Sequence, residues 1–107
     1  MKVIIKRPCD QFGEEATIPN TLKALQEAVG GYIETVTLDN GVVLICNEEG
    51  RIRDMPYNFT LRRMRGVVTI QNAIFGTVIA CGVDGDKFAD IPIDFNEWKA
   101  LLCEWGN

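Results

Sequence analysis

The sequence predicts an α+β fold: a mostly antiparallel β-sheet of about five or six strands packed with two α-helices in a single domain. Three observations carry this. Short apolar runs separated by turn residues recur along the chain, one amphipathic stretch ends at paired glycines, and a second opens with a capping box. The chain has 107 residues, 47% hydrophobic and 24% charged, the composition of an ordinary globular domain. It is read as one domain over residues 1–107, long enough to fold around its own core without metal or disulfide staples.

Val3-Ile4-Ile5 predicts a strand over 2–7, stopped by Pro8, and residues 8–17 read as a loop. Asn20 is placed to cap a helix with Leu22, Leu25 and Val29 on one face, and Gly30-Gly31 ends it. Residues 32–38 and 42–46 form a hairpin about Asp39-Asn40-Gly41. The return strand is apolar on both faces, which puts it in the middle of the sheet. Asn47-Glu48-Glu49-Gly50 reads as a second tight turn with Gly50 at positive φ, leading to a short strand over 51–53. In 54–66, Pro56 argues against a continuing strand, and Asn58 is placed to cap a helical turn through Arg63. Residues 67–70 and 76–82 read as further strands, and Asp84-Gly85-Asp86 as a turn. Asp94 and Glu97 form the capping box of the last helix, with Phe95, Trp98, Leu101, Leu102 and Trp105 on one face. That face is read as core, with Trp105 partly exposed and available for a dimer contact.

Composition excludes several chemistries. The chain contains no histidine, so Ser-His and Cys-His catalysis, His-ligated metals and an imidazole pH switch are all ruled out. Cys9, Cys46, Cys81 and Cys103 include no C-x-x-C spacing, which leaves neither a zinc ribbon nor a thioredoxin-like motif. Cys46 and Cys81 end apolar runs and read as core. Cys9, beside Arg7 and Pro8, is the thiol with a reactive reading. Asp84, Asp86 and Asp90 have the 1-3-7 spacing of a calcium loop, but Ala89 and Phe95 stand where it needs glycine and glutamate. Glu48 and Glu49, adjacent on a turn, point to solvent rather than forming an acid/base pair. No cofactor is expected. The N-terminus offers no signal-peptide stretch, and no run approaches the roughly 18–20 apolar residues of a membrane span. The expected setting is therefore cytoplasmic, with no membrane partner and reduced thiols.

The charge distribution is more informative. Net charge is −4, yet residues 51–65 hold Arg51, Arg53, Arg62, Arg63 and Arg65 against Asp54, a local +4 on a remainder of −8. Such a body does not favour nucleic acid, whose phosphates it would repel away from one patch. A focused cluster of guanidinium forks suits phosphate or carboxylate instead, and Tyr57 and Phe59 in the same segment can stack on a base or a guanidinium. The candidate ligand- or partner-binding residues are Arg51, Arg53, Tyr57, Asn58, Arg62, Arg63 and Arg65. The competing reading is a solvated charged face.

Leu25-Gln26, then Val29-Gly30-Gly31-Tyr32-Ile33-Glu34, followed by Leu44-Ile45-Cys46-Asn47-Glu48-Glu49-Gly50, resembles a family of small proteins described as a domain of unknown function. Its members occur largely on phages, prophages and conjugative elements of Gram-positive bacteria. Met55-Pro56-Tyr57-Asn58, Ile74-Phe75-Gly76-Thr77-Val78-Ile79 and Phe88-Ala89-Asp90 extend the resemblance over about residues 18–100. It departs between Asn58 and Ile74, where the family carries an acidic loop and this chain carries Arg62, Arg63 and Arg65, so no ligand transfers. The resemblance implies an accessory protein of a mobile element, made inside its bacterial host, and brings no catalytic residues. The expected function is a non-enzymatic binding module that blocks a host-defence component or sequesters a target. That target is an unknown acidic protein or a phosphate-bearing small molecule. The alternatives are a small cysteine-dependent enzyme using Cys9 and a structural homo-oligomer joined through edge strands or Trp105.

Overall fold

The structure, a computed structural model, describes residues 1–106; the side chain of Arg65 lies outside the described residues. Its elements are β1 (Lys2–Lys6), β2 (Glu14–Thr17), α1 (Leu22–Val29), β3 (Ile33–Thr37), β4 (Val43–Asn47), β5 (Tyr57–Arg65), β6 (Val68–Phe75), β7 (Val78–Asp84), β8 (Lys87–Ala89) and α2 (Phe95–Glu104). The expected α+β architecture is present. The main sheet runs β2-β1-β7-β4-β3 with β8 on β7, and β5–β6 form a separate two-stranded sheet. Every pairing is antiparallel.

Period-2 alternation in two central strands explains the layering. In β4 and the residue before it, Val42, Leu44 and Cys46 face one core while Val43 and Ile45 face another. In β7, Val78 and Ala80 divide from Ile79 and Cys81 in the same way. Strands buried on both faces need cover on both, and different elements supply it on each side. The 8-residue α1 lays Leu25 and Val29 on the Ile45–Ile79 side. On the other side lie the β5–β6 hairpin, through Phe59, Leu61 and Ile74, and α2, through Trp98 and Leu102. Phe59 stacks on Trp105 with ring centroids 5.8 Å apart, and Trp98 meets both rings edge-on at 6.3 and 6.2 Å. The result is three layers: α1, the main sheet, then the hairpin beside α2.

Several boundaries differ from the sequence reading. Residues 14–17 are strand, because Glu14–Thr17 pair with β1 from Ile5↔Glu14 to Lys2↔Thr17. That edge strand is polar and shows no alternation in sequence. Thr21, not Asn20, caps α1: its hydroxyl accepts from Ala24 N at 3.1 Å, while Asn20 donates to Phe88 O. Residues 51–54 are a turn rather than a strand, and the positive φ in it falls on Asp54. Gly50 is required for a different reason, since a Cβ there would lie 2.9 Å from Phe75 O. The helical turn expected from Asn58 to Arg63 is the long strand β5, and β6 continues to Phe75 rather than stopping at 70. Polar Gln71-Asn72 lies on a solvent-facing stretch of that hairpin and masks it in the sequence. Trp105, expected to be partly exposed, is 6% exposed and belongs to the aromatic core.

Candidate functional site

The β5–β6 hairpin positions most of the predicted site. Its strands pair from Tyr57↔Phe75 to Arg65↔Val68, joined by the two-residue turn Gly66-Val67. Gly66 takes φ +64, the positive value that a type II′ hairpin turn needs at its first position. The proximal half is buried by Phe59, Leu61 and Ile74, whereas the distal half leaves Met64, Val67 and Val68 65%, 95% and 59% exposed.

The seven predicted residues do not converge. Arg51, Arg53 and Tyr57 lie at the proximal end. Arg51 stands over the Phe75 ring at 5.3 Å, and Tyr57 packs edge-on against that same ring at 5.9 Å. Arg53 donates to Gly30 O at 3.2 Å, satisfying a carbonyl at the C-terminus of α1. Asn58 is buried and wholly engaged: its amide donates to Lys6 O and Gly76 O, both at 2.8 Å, and its oxygen accepts from Lys6 Nζ. It sits at the β-bulge between Tyr57 and Phe59, so the side chain supplies hydrogen bonds the interrupted ladder lacks. Asn58 is thus a buried tie between the hairpin and the main sheet, with both amide donors committed there. Arg62 and Arg63 lie five and six residues beyond Tyr57, roughly 15–20 Å along an extended strand. Arg65 is paired with Val68 at the tip, and its side chain is outside the described residues.

Arg62 and Arg63 instead open onto a surface cleft of about 500 Å³. The half-buried Leu101 and buried Leu38 and Trp105 line its apolar part, and Asn40 and Thr69 add neutral polar groups. The Arg62 guanidinium lies against Gly106, just past α2. Arg63 donates to Thr37 O at 3.1 Å, which anchors the hairpin to the end of β3. Asp39 and Glu104 also line the cleft, but neither arginine forms an ion pair among the described residues, where Arg7 alone does so, with Asp10 and Glu14. Sequence reasoning missed the residues that share the cleft with the two arginines. Asp39 and Asn40 read only as a hairpin turn, nothing in the sequence singles out Glu104, and no spacing links any of them to Arg62.

The thiols divide as expected. Cys46 and Cys81 are buried, and burial pushes both up to about 11, with Glu34 adding to the effect at Cys46. Cys9 is exposed, with its sulfur 3.9 Å from an Asp10 oxygen. No group of metal-ligating side chains occurs among the described residues, and none of their helices is long and apolar enough to cross a membrane.

The fold is a small α+β domain, and its cleft brings Arg62 and Arg63 beside Leu38, Leu101 and Trp105. The family model "Domain of unknown function (DUF3846)" matches residues 1–102, and the chain belongs to that family. No curated protein and no solved structure matches it.

Proposed function

We propose that this chain is a non-enzymatic binding module that takes an anionic group at Arg62 and Arg63. One observation carries the reading: Arg62 and Arg63 both line an open cleft, and neither forms an ion pair among the described residues. Guanidinium forks recognise phosphate and carboxylate bidentately, and a hydrogen bond to a charged group is worth about 1.5–3 kcal/mol. Lining the cleft with β5, the β3–β4 turn and α2 holds the pair on rigid elements, so little ordering is needed on binding. In the mobile-element setting implied by the sequence resemblance, the module serves as an accessory protein that blocks or sequesters a host component.

The test is a thermal-shift screen against nucleotides and other phosphates, and against acidic peptides, at low and moderate salt. A ligand present at a hundred times its dissociation constant adds about 2.7 kcal/mol. That raises the midpoint of a domain this size by on the order of 10 °C. The shift should vanish in Arg62→Ala/Arg63→Ala and persist in Arg51→Ala/Arg53→Ala. The reverse pattern moves the site to the proximal end.

A further inference from the structure

We infer that the occupant of the cleft is a polypeptide segment in which an apolar side chain is flanked by carboxylates, an inference that rests on the proposed anion-binding role of Arg62 and Arg63. Three features of the cleft select this chemistry over a free phosphate. First, its floor is apolar, formed by Leu38, Leu101 and Trp105. A ligand that is only an anion leaves that surface in water, whereas an apolar side chain covers it.

Second, Asp39 and Glu104 line the same cleft as the arginines. A compact, multiply charged phosphate placed there meets both signs at once. A peptide separates its charges over several ångströms and offers backbone N–H donors to those carboxylates while its own acids reach the guanidiniums.

Third, Met64 lines the cleft while 65% exposed, which carries its apolar surface out along β5. A compact anion held at the guanidiniums leaves that side chain in water, whereas an apolar side chain of an extended peptide covers it. Met and Arg are also enriched in protein interfaces relative to the rest of the surface.

The experiment is a selection of random dodecapeptides displayed on phage against the intact protein, with Arg62→Ala/Arg63→Ala as a parallel target. Alongside it runs a titration of the intact protein with inorganic pyrophosphate, followed by amide chemical shifts. Selected peptides should place Asp or Glu beside Leu, Ile, Met or Phe. They should lose roughly tenfold in affinity on the double-arginine variant. They should also weaken on Met64→Ser, an exposed position whose replacement leaves the melting temperature and any pyrophosphate response unchanged. Selected peptides without that acidic-apolar pattern, or bound equally by the arginine variant, overturn the inference. Should pyrophosphate move the Arg62–Thr69 amides in that case, the arginine site stands and only its occupant is wrong. Silence from both ligands removes the site itself.

Discussion

Lys6 and Asn58, 52 residues apart, exchange two hydrogen bonds: Lys6 Nζ donates to Asn58 Oδ1 at 2.5 Å, and Asn58 Nδ2 donates to Lys6 O at 2.8 Å. Lys6 is 3% exposed, and its ammonium lies 5.5 Å from the centroid of the Phe59 ring. A cation is therefore buried against one amide oxygen and one aromatic face, at the point where the hairpin joins the main sheet. Burial pulls its pKa below the ordinary lysine value, a cost only partly offset by Asp10 and Cys9.

Asn58→Ala should be among the most damaging polar substitutions. It takes a donor from two buried carbonyls and the acceptor from a buried ammonium. Each unsatisfied buried group costs about 1–3 kcal/mol, so a total of about 3 kcal/mol or more is expected. Thermal denaturation should show a midpoint lower by on the order of 10–20 °C. A drop of only a degree or two means the hairpin is held by its apolar contacts alone.

Alkaline stability should reflect two opposed effects. The Cys46 and Cys81 pKa values are raised from 9.0 to about 11 in the folded chain. Their contribution is complete below 9 and is lost as pH rises through 11, because the unfolded thiols ionise first. Lys6 has the opposite sign. Its folded pKa lies below 10.5, so the cost of burying its charge is relieved as pH climbs towards that value. Denaturant titrations across this range should show a falling stability that flattens in Cys81→Ala and steepens in Lys6→Met.

The aromatic cluster predicts that α2 is indispensable. Trp98 and Leu102 are fully buried and Trp105 nearly so, and Phe59 contacts both tryptophans. Losing burial of each large side chain costs about 1.5–3 kcal/mol against a total stability of roughly 5–15. A chain ending at Ile93 should show no cooperative melt, and Trp105→Ala should lose about 3–5 kcal/mol. A cooperative transition in the shortened chain would show that the hairpin and sheet form a sufficient core without the helix.

Thiol labelling should separate the cysteines and weigh the enzyme alternative. In native protein Cys9 and Cys103 should react promptly, and Cys46 and Cys81 only after unfolding. With limiting reagent near neutral pH, Cys9 should react no faster than a free cysteine. Selective, much faster modification of Cys9 would instead favour the nucleophile reading.

Much of this fold is legible in the chain because its signals are local. Val42 to Cys46, apolar at every position, announces a strand buried on both faces. Asp94 and Glu97 form the capping box their spacing promised, at 2.8 and 3.4 Å. Gly30 takes the left-handed cap that ends α1. The hairpin was not legible, because Asn58 breaks the β5 pattern at a bulge whose missing bonds are returned by Lys6 O and Gly76 O from elsewhere.

The candidate site divides along the same line. By itself the sequence determined the α+β class, the buried Cys46 and Cys81, and a guanidinium excess between residues 51 and 65. Periodicity, capping and composition depend on neighbours a few residues away. Tertiary structure alone decided that this excess splits between the two ends of one hairpin. It also decided that Asn58 is a buried tie and that Arg62 and Arg63 share a cleft with Asp39, Leu101 and Glu104. Those groupings depend on strand register and on how a hairpin and a helix cover one sheet face. Both follow from contacts between residues tens of positions apart, which no local pattern encodes.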